Sequence, residues 1–215
     1  MRSRTRIKIC GITREADLDA AVAAGADAVG FVLWPRSPRA VTAQRAGELA
    51  ARLPAFVTPV GLFVNASDAE IAAAVRAIPN LMLQFHGDES PTDCRRAARP
   101  YLRAARMAPG FDLLDFCASY SDAQAVLLDT HVEGYGGSGK VFDWSLVPHG
   151  VPRPLVLSGG LHAGNVIEGI LRVRPWAVDV SSGVESAKGI KDAEAVRRFC
   201  DAVFEADARI ADTES

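Results

Sequence analysis

Short apolar segments typical of β-strands alternate with helical patterns along almost the whole chain. The first segment is RIKIC (6–10), and a helical pattern over about residues 14–24 follows it and ends at Gly25. The last is WAVDVSSG (176–183), which precedes a predicted helix from Asp192 to Phe204. We count about eight such strand–helix units. Strands that alternate with helices form parallel sheets covered on both faces, so this rhythm constrains the fold more than any other feature.

Eight units are the number that closes a (β/α)₈ barrel, the α/β fold of TIM-barrel type. A chain of 215 residues, 49% of them hydrophobic, suits one such domain. The alternative is a doubly wound open sheet, which usually has fewer strands. Its dinucleotide-binding form needs a Gly-x-Gly-x-x-Gly turn after the first strand, and Gly11 alone does not supply one. We therefore predict a single barrel over residues 1–205 and a polar, frayed tail over 206–215.

Composition excludes several classes of function. The formal net charge of −2 offers no basic surface for nucleic acid or anionic membrane. No segment approaches the ~20 apolar residues that span a bilayer, and no signal-peptide pattern follows MRSRTR. The four cysteines form no Cys-x-x-Cys pair. The histidines at positions 131, 149 and 162 show no metal-ligand spacing. We expect no disulfide framework, no metal ion and a cytoplasmic location.

Two residues that transfer protons end strands on opposite sides of the predicted barrel. Cys10 ends the first strand and Asp129 ends the sixth, and the chemistry of such barrels lies at the carboxyl ends of the strands. A free thiol is often only a small buried hydrophobe. A carboxylate that ends an apolar strand needs a partner or a role, because an unpaired buried charge is costly. We predict that Cys10 and Asp129 face each other across the mouth.

Small residues follow the seventh and eighth strands, at Ser158-Gly159-Gly160 and Ser181-Ser182-Gly183. Backbone N–H groups in such turns bind anions, and barrel phosphate sites occupy these two loops. Ordinary tight turns are the alternative interpretation.

Four polar residues near the strand ends are further candidates for lining the site. Gln84 and His86 share one face of the fourth strand by period-two alternation, although a structural role for His86 is the more common one. Lys8 shares a face with Cys10 and is a source of positive field, and Asp179 ends the eighth strand.

These strand-end residues lie in stretches that resemble the phosphoribosylanthranilate isomerase family of tryptophan biosynthesis. The stretches span nearly the whole chain in order, and only their combination is specific. They are KICGIT (8–13), GADAVGFVLWPRSPR (25–39), VGLFVN (60–65), QFHGDE (84–89), LLDT (127–130), YGGSGKVFDW (135–144), LSGGL (157–161) and DVSSGVES-x-x-G-I-K-D (179–192).

The resemblance implies a cofactor-free Amadori rearrangement of a small phosphorylated substrate. The aminoaldose N-(5-phosphoribosyl)anthranilate becomes the aminoketose 1-(2-carboxyphenylamino)-1-deoxyribulose 5-phosphate. By position, Cys10 resembles the general base, Asp129 the general acid and Arg39 the arginine that holds the anthranilate carboxylate. The residues that resemble the phosphate site are Gly159, Gly160, Ser181 and Ser182. We expect a monomer or a homodimer.

This chemistry needs a thiolate and a carboxylic acid. A free thiol titrates near ~8.5 and a free aspartate near ~3.9. At neutral pH, therefore, most free cysteine is a thiol and most free aspartate is a carboxylate. We therefore predict a lowered pKa for Cys10, a raised pKa for Asp129, or both, in the free or substrate-bound state.

Four alternative functions are less well supported. The related isomerase of histidine biosynthesis and a bifunctional enzyme would use two aspartates, whereas the first strand here ends in cysteine. A barrel that only binds a phosphorylated ligand would not require Cys10 and Asp129 together. A thiol nucleophile would need a histidine partner that the sequence does not identify. The glycines of 134–140 are compatible with a lid or with a flexible solvent loop.

Overall fold

The computed structural model describes residues 4–130 and 141–214, and it confirms the predicted α/β barrel. Eight parallel strands pair in chain order and the eighth pairs with the first, which excludes an open sheet. The barrel strands are β1 (Arg6–Cys10), β2 (Ala28–Val32), β3 (Thr58–Phe63), β4 (Met82–Phe85), β5 (Tyr101–Met107), β6 (Ala125–Thr130), β7 (Leu155–Leu157) and β8 (Ala177–Val180).

Helices follow most of the strands and cover the outside of the barrel. Local sequence explains where they begin: Thr42 accepts a hydrogen bond from the Arg45 N–H, and Ser67 and Glu70 form a capping box. The helices are α1 (Glu15–Ala23), α2 (Ala43–Ala50), α3 (Asp68–Ala77), α4 (Pro91–Arg96), α5 (Leu113–Ser119), α6 (Val166–Val173) and α7 (Ala193–Glu214).

Two connections depart from the strand–helix rhythm. The described part of the link between β6 and β7 contains a 3₁₀ turn, Trp144–Leu146. After β8 come a second 3₁₀ turn (Ser182–Val184) and a small antiparallel hairpin of β9 (Glu185–Ala187) and β10 (Ile190–Lys191). The sequence patterns did not predict this hairpin. Within the described residues, no helix is long and apolar enough to cross a membrane.

Side chains of the strands alternate between the helices and the barrel interior. Outward residues such as Ile7, Ile9 and Phe31 are buried in the main core. An apolar interior layer lies toward the amino-terminal ends of the strands, and polar side chains occupy the interior above it. The apolar layer consists of Val60, Leu102, Ala104, Ala125, Leu127, Val156 and Ala177.

The predicted frayed tail is wrong for residues 206–214, because α7 continues to Glu214. Ala206 and Ile210 lie four residues apart on one helical face, and both are buried. Asp207 lies between them and accepts hydrogen bonds from the backbone N–H and the hydroxyl of Thr5, each at a distance of 2.7 Å. The prediction failed because most residues of this segment are polar, and the two buried apolar residues at helical spacing were not recognised.

We expect Ile210→Ala to lower the free energy of unfolding by about 2–4 kcal/mol, because it leaves a cavity beneath α7. Asp212→Ala, an exposed change two residues further along α7, is the control and should cost less than about 0.5 kcal/mol. Urea denaturation measures both. Equal and small effects would mean that the end of α7 is not docked.

Candidate active site

The predicted site residues meet in one cavity at the carboxyl-terminal ends of the strands. Lys8 is the exception, since it lies one interior position deeper on β1. The predicted residues that line the cavity are Cys10, Arg39, Gln84, His86, Asp129, Gly159, Gly160, Asp179, Ser181 and Ser182.

Cys10 is held between two glycines. Gly30 is its register partner on β2, and a Cβ at Gly30 would lie 2.7 Å from the Cys10 sulfur. Gly11 has φ +81°, and a Cβ there would lie 2.7 Å from Cδ of Arg39. Both glycines therefore let larger groups pack closely around the thiol.

Lys8 and Asp179 form an ion pair beneath Cys10, with 2.7 Å between Nζ and Oδ1. Burial raises the pKa of the Cys10 thiol above its usual range, and Asp179 adds to that effect. Lys8 and Lys191 lower the pKa without outweighing burial. In the free protein this direction is opposite to a lowered pKa of Cys10, one of the two shifts predicted for the free or the substrate-bound state.

Asp129 is held by two contacts. Its Oδ1 accepts a hydrogen bond from the backbone N–H of Thr130 (2.8 Å), and its Oδ2 lies 2.9 Å from Nε2 of His86. The other ring nitrogen of His86, Nδ1, lies 3.1 Å from Nε2 of Gln84. The pairing of His86 with the candidate acid was not predicted, because the contact joins β6 to the residue after β4.

The two glycines after β7 have backbone conformations that favour glycine, with φ +81° at Gly159 and +67° at Gly160. A Cβ at Gly159 would lie 2.5 Å from the Thr130 hydroxyl and 2.9 Å from Oδ1 of Asp129. The predicted phosphate loop thus packs directly against the candidate acid.

Arg39 belongs to an ion-pair network that the sequence did not predict. Its Nε and Nη2 each lie 2.7 Å from an oxygen of Glu185, and Lys191 Nζ lies 2.9 Å from the same carboxylate. Lys191 also donates to the Ser181 carbonyl over 3.0 Å. Burial opposes ionisation of Glu185, but Arg39 and Lys191 outweigh it and lower the pKa of that carboxyl. Glu185 and Lys191 fall within the last resembling stretch, which is the signal that could have identified them.

Comparison with known proteins agrees with this geometry. The family model described as N-(5′-phosphoribosyl)anthranilate (PRA) isomerase matches residues 7–202. The chain belongs to this family. It is 74% identical over 211 residues to the N-(5′-phosphoribosyl)anthranilate isomerase of Methylibium petroleiphilum, covering 98% of this chain and 99% of that relative.

Solved structures of the PRA isomerase family share the fold. The enzyme from Thermotoga maritima superposes with a TM-score of 0.85 at 40% identity, over 94% of this chain and 99% of that one. A family structure in complex with reduced 1-(o-carboxyphenylamino)-1-deoxyribulose 5-phosphate has a TM-score of 0.82 at 38% identity, over the same shares.

Two further expectations concern a lid and a metal ion. The glycine-rich segment 134–140, which is compatible with a lid or a flexible solvent loop, lies outside the described residues. Among the residues that are described, no cluster of histidine, cysteine, aspartate or glutamate is arranged to hold a metal ion.

We expect Glu185→Ala to lower the free energy of unfolding by about 3–5 kcal/mol, because it leaves Arg39 and Lys191 without their shared anion. Glu205→Ala removes a surface ion pair with Arg209 and is the control, with an expected loss below about 1 kcal/mol. Thermal and urea denaturation distinguish the two variants. Similar losses would show that the network contributes no more than a surface pair.

The pH dependence of the same network has a defined sign. Since the pKa of Glu185 is lowered by folding, its contribution is present above the ordinary value of 4.5 and is lost as pH falls toward the folded value. The difference in unfolding free energy between wild type and Glu185→Gln should therefore shrink below pH 4.5. A difference that stayed constant from pH 6 to 3 would contradict this assignment.

Proposed function

We infer that this chain catalyses the reaction named by its family, the conversion of the aminoaldose N-(5-phosphoribosyl)anthranilate into the corresponding aminoketose. Family membership establishes the isomerase, and the roles of individual residues are our proposal. The observation that carries these roles is the position of Cys10 and Asp129. Both line one cavity, on β1 and β6, beside the small-residue turns after β7 and β8.

Asp129 is proposed to donate a proton to the ribose ring oxygen, so that the ring C–O bond breaks and a protonated Schiff base forms. Cys10 thiolate then removes the proton from the adjacent sugar carbon, and the electron pair neutralises the iminium nitrogen as an enolamine. Tautomerisation of the enolamine gives the ketone. Each step moves only protons and the bonds of the substrate, so the proposal includes no cofactor.

The two ends of the substrate are proposed to bind at different groups in the wall of the same cavity. Gly159 and Gly160 have the backbone conformation of an anion-binding turn, and Ser181 and Ser182 face the same cavity. We place the phosphate there. We place the anthranilate carboxylate at Arg39, whose guanidinium Glu185 already orients.

The protonation states fit one scheme. The resting thiol and carboxylate together carry one proton, and the reactive thiolate and carboxylic acid also carry one. The active form therefore arises by moving a proton between the two groups rather than by net uptake. Lys8 and Lys191 favour this transfer because both lower the pKa of Cys10.

Every described side chain of the site comes from one chain, so a monomer or a homodimer could hold it. Cytoplasmic location stays our proposal, and the four free buried cysteines are compatible with a reducing compartment.

We expect Cys10→Ala and Asp129→Asn each to lower kcat by at least ~100-fold, the usual contribution of a positioned acid or base. The assay follows the loss of fluorescence of freshly prepared phosphoribosylanthranilate. Cys117→Ala, which removes a buried thiol far from the cavity, is the control and should retain activity. Full turnover by Cys10→Ala would refute the assigned base.

The pH profile follows from the same scheme. Because the reactive and resting forms carry equal numbers of protons, kcat/KM should be flat between two limbs. The acid limb then reports the carboxyl group and the alkaline limb the thiol. Since burial raises the pKa of Cys10, the alkaline limb should lie above pH ~8.5. An alkaline limb below pH 7 would contradict the thiol assignment.

A further inference from the structure

Three buried polar side chains form a chain of contacts that ends at Asp129. Gln84 on β4 is fully buried, and His86 and Asp129 are each 8% exposed. Gln84 Nε2 lies 3.1 Å from His86 Nδ1, and His86 Nε2 lies 2.9 Å from Asp129 Oδ2. Gln84 therefore has no direct contact with the proposed acid but determines what the histidine between them can do.

In the observed orientation the chain stabilises a carboxylate. The amide N–H of Gln84 donates to Nδ1, so a neutral His86 carries its proton on Nε2 and donates it to Asp129. The backbone N–H of Thr130 donates to the other oxygen of Asp129. In this orientation Asp129 only accepts hydrogen bonds, whereas the proposed reaction needs it to carry a proton and donate it.

The second observation concerns the other end of the Gln84 amide. Its Oε1 is buried and accepts no hydrogen bond from the described residues. Buried amide oxygens usually have a partner. A half-turn of the amide places Gln84 Oε1 on His86 Nδ1, which then carries the proton. Nε2 of His86 is left to accept a hydrogen bond from a protonated Asp129.

We propose that Gln84 is a positioning residue that allows the His86–Asp129 pair to hold the proton needed for ring opening. The inference rests on the proposed role of Asp129. The His86–Asp129 pair gains the one proton that the Cys10 thiol releases in the scheme above. This proton is carried at Nδ1 of His86, and the proton on Nε2 moves to Oδ2 of Asp129. That O–H bond then breaks as the ring oxygen takes the proton. Glutamine suits the task because one neutral group can both donate and accept.

Other charged groups face this chain from the neighbouring elements. Arg106 on β5 donates to the His86 carbonyl over 3.3 Å and pairs with Asp88. From the remaining walls of the cavity come Cys10, Arg39 and Asp179. All of these are unchanged by substitution at Gln84. Gln84→Met also adds no charge, so a shift in the pH profile of that variant reports on loss of the amide.

The test compares two variants of Gln84. In Gln84→Glu the ionised carboxylate can only accept a hydrogen bond, and in Gln84→Met the side chain has about the length of glutamine but no amide. Gln84→Glu should move the acid limb of kcat to higher pH. Gln84→Met should move it lower by about one unit and reduce the plateau about 10-fold, because the proton-bearing pair loses its acceptor. KM should change less than about 3-fold in both variants.

A second measurement does not depend on turnover. Nitrogen-15 NMR of labelled histidine should show His86 protonated at Nε2 in wild type and at Nδ1 in Gln84→Glu, with the signal assigned by its absence in His86→Asn. Lower kcat or stability with an unmoved acid limb and an unchanged tautomer would overturn the inference. Activity retained in Asp129→Asn would instead refute the proposed function, and the tautomer result would still decide whether Gln84 orients His86.

Discussion

The barrel closes where β1 meets β8, and at that seam Lys8 stands directly opposite Asp179 in the strand register. Both side chains are almost completely buried, so neither charge is tolerable without the other. Their contact is 2.7 Å, and the Ser158 hydroxyl adds a 3.3 Å hydrogen bond to Asp179. Burial lowers the pKa of Lys8, but Asp179 and Cys10 outweigh burial and raise it. The charged layer thus holds the seam in register, and Cys10 is positioned by the same strand.

This pairing also limits how far Lys8 can activate the thiol. Asp179 neutralises much of the field of Lys8 at the sulfur, and burial then dominates the pKa of Cys10. A shift of one pKa unit corresponds to about 1.4 kcal/mol, so a few nearby charges affect how readily Cys10 can form the thiolate that we propose as the base. Stability of the seam and activation of the proposed base, Cys10, therefore depend on the same lysine.

The sequence was sufficient for the fold and for the strand-end residues because both follow from periodicity. Alternating strands and helices require a parallel sheet, and Cys10 and Asp129 each directly end an apolar run. Contacts between distant segments have no such signal. The pairing of His86 with Asp129 depends on which strands face each other across the interior. Glu185 reaches Arg39 only because the β9–β10 hairpin packs against the segment after β2, where Gly189 lies close to Pro38. The docked end of α7 was missed since two apolar residues among many charges resemble a solvated tail.

The network of Arg39, Glu185 and Lys191 explains how an arginine can be rigid and still bind an anion. Bidentate contact with Glu185 fixes the plane of the Arg39 guanidinium. This contact alone would neutralise the charge of Arg39. Lys191, whose pKa burial lowers, is held against the same carboxylate over 2.9 Å. Two cations share one anion, so the group as a whole keeps one positive charge. The single substrate carboxylate that we propose to bind at Arg39 would neutralise this charge. Because Glu185 already holds the arginine in place, less conformational entropy would be lost on binding.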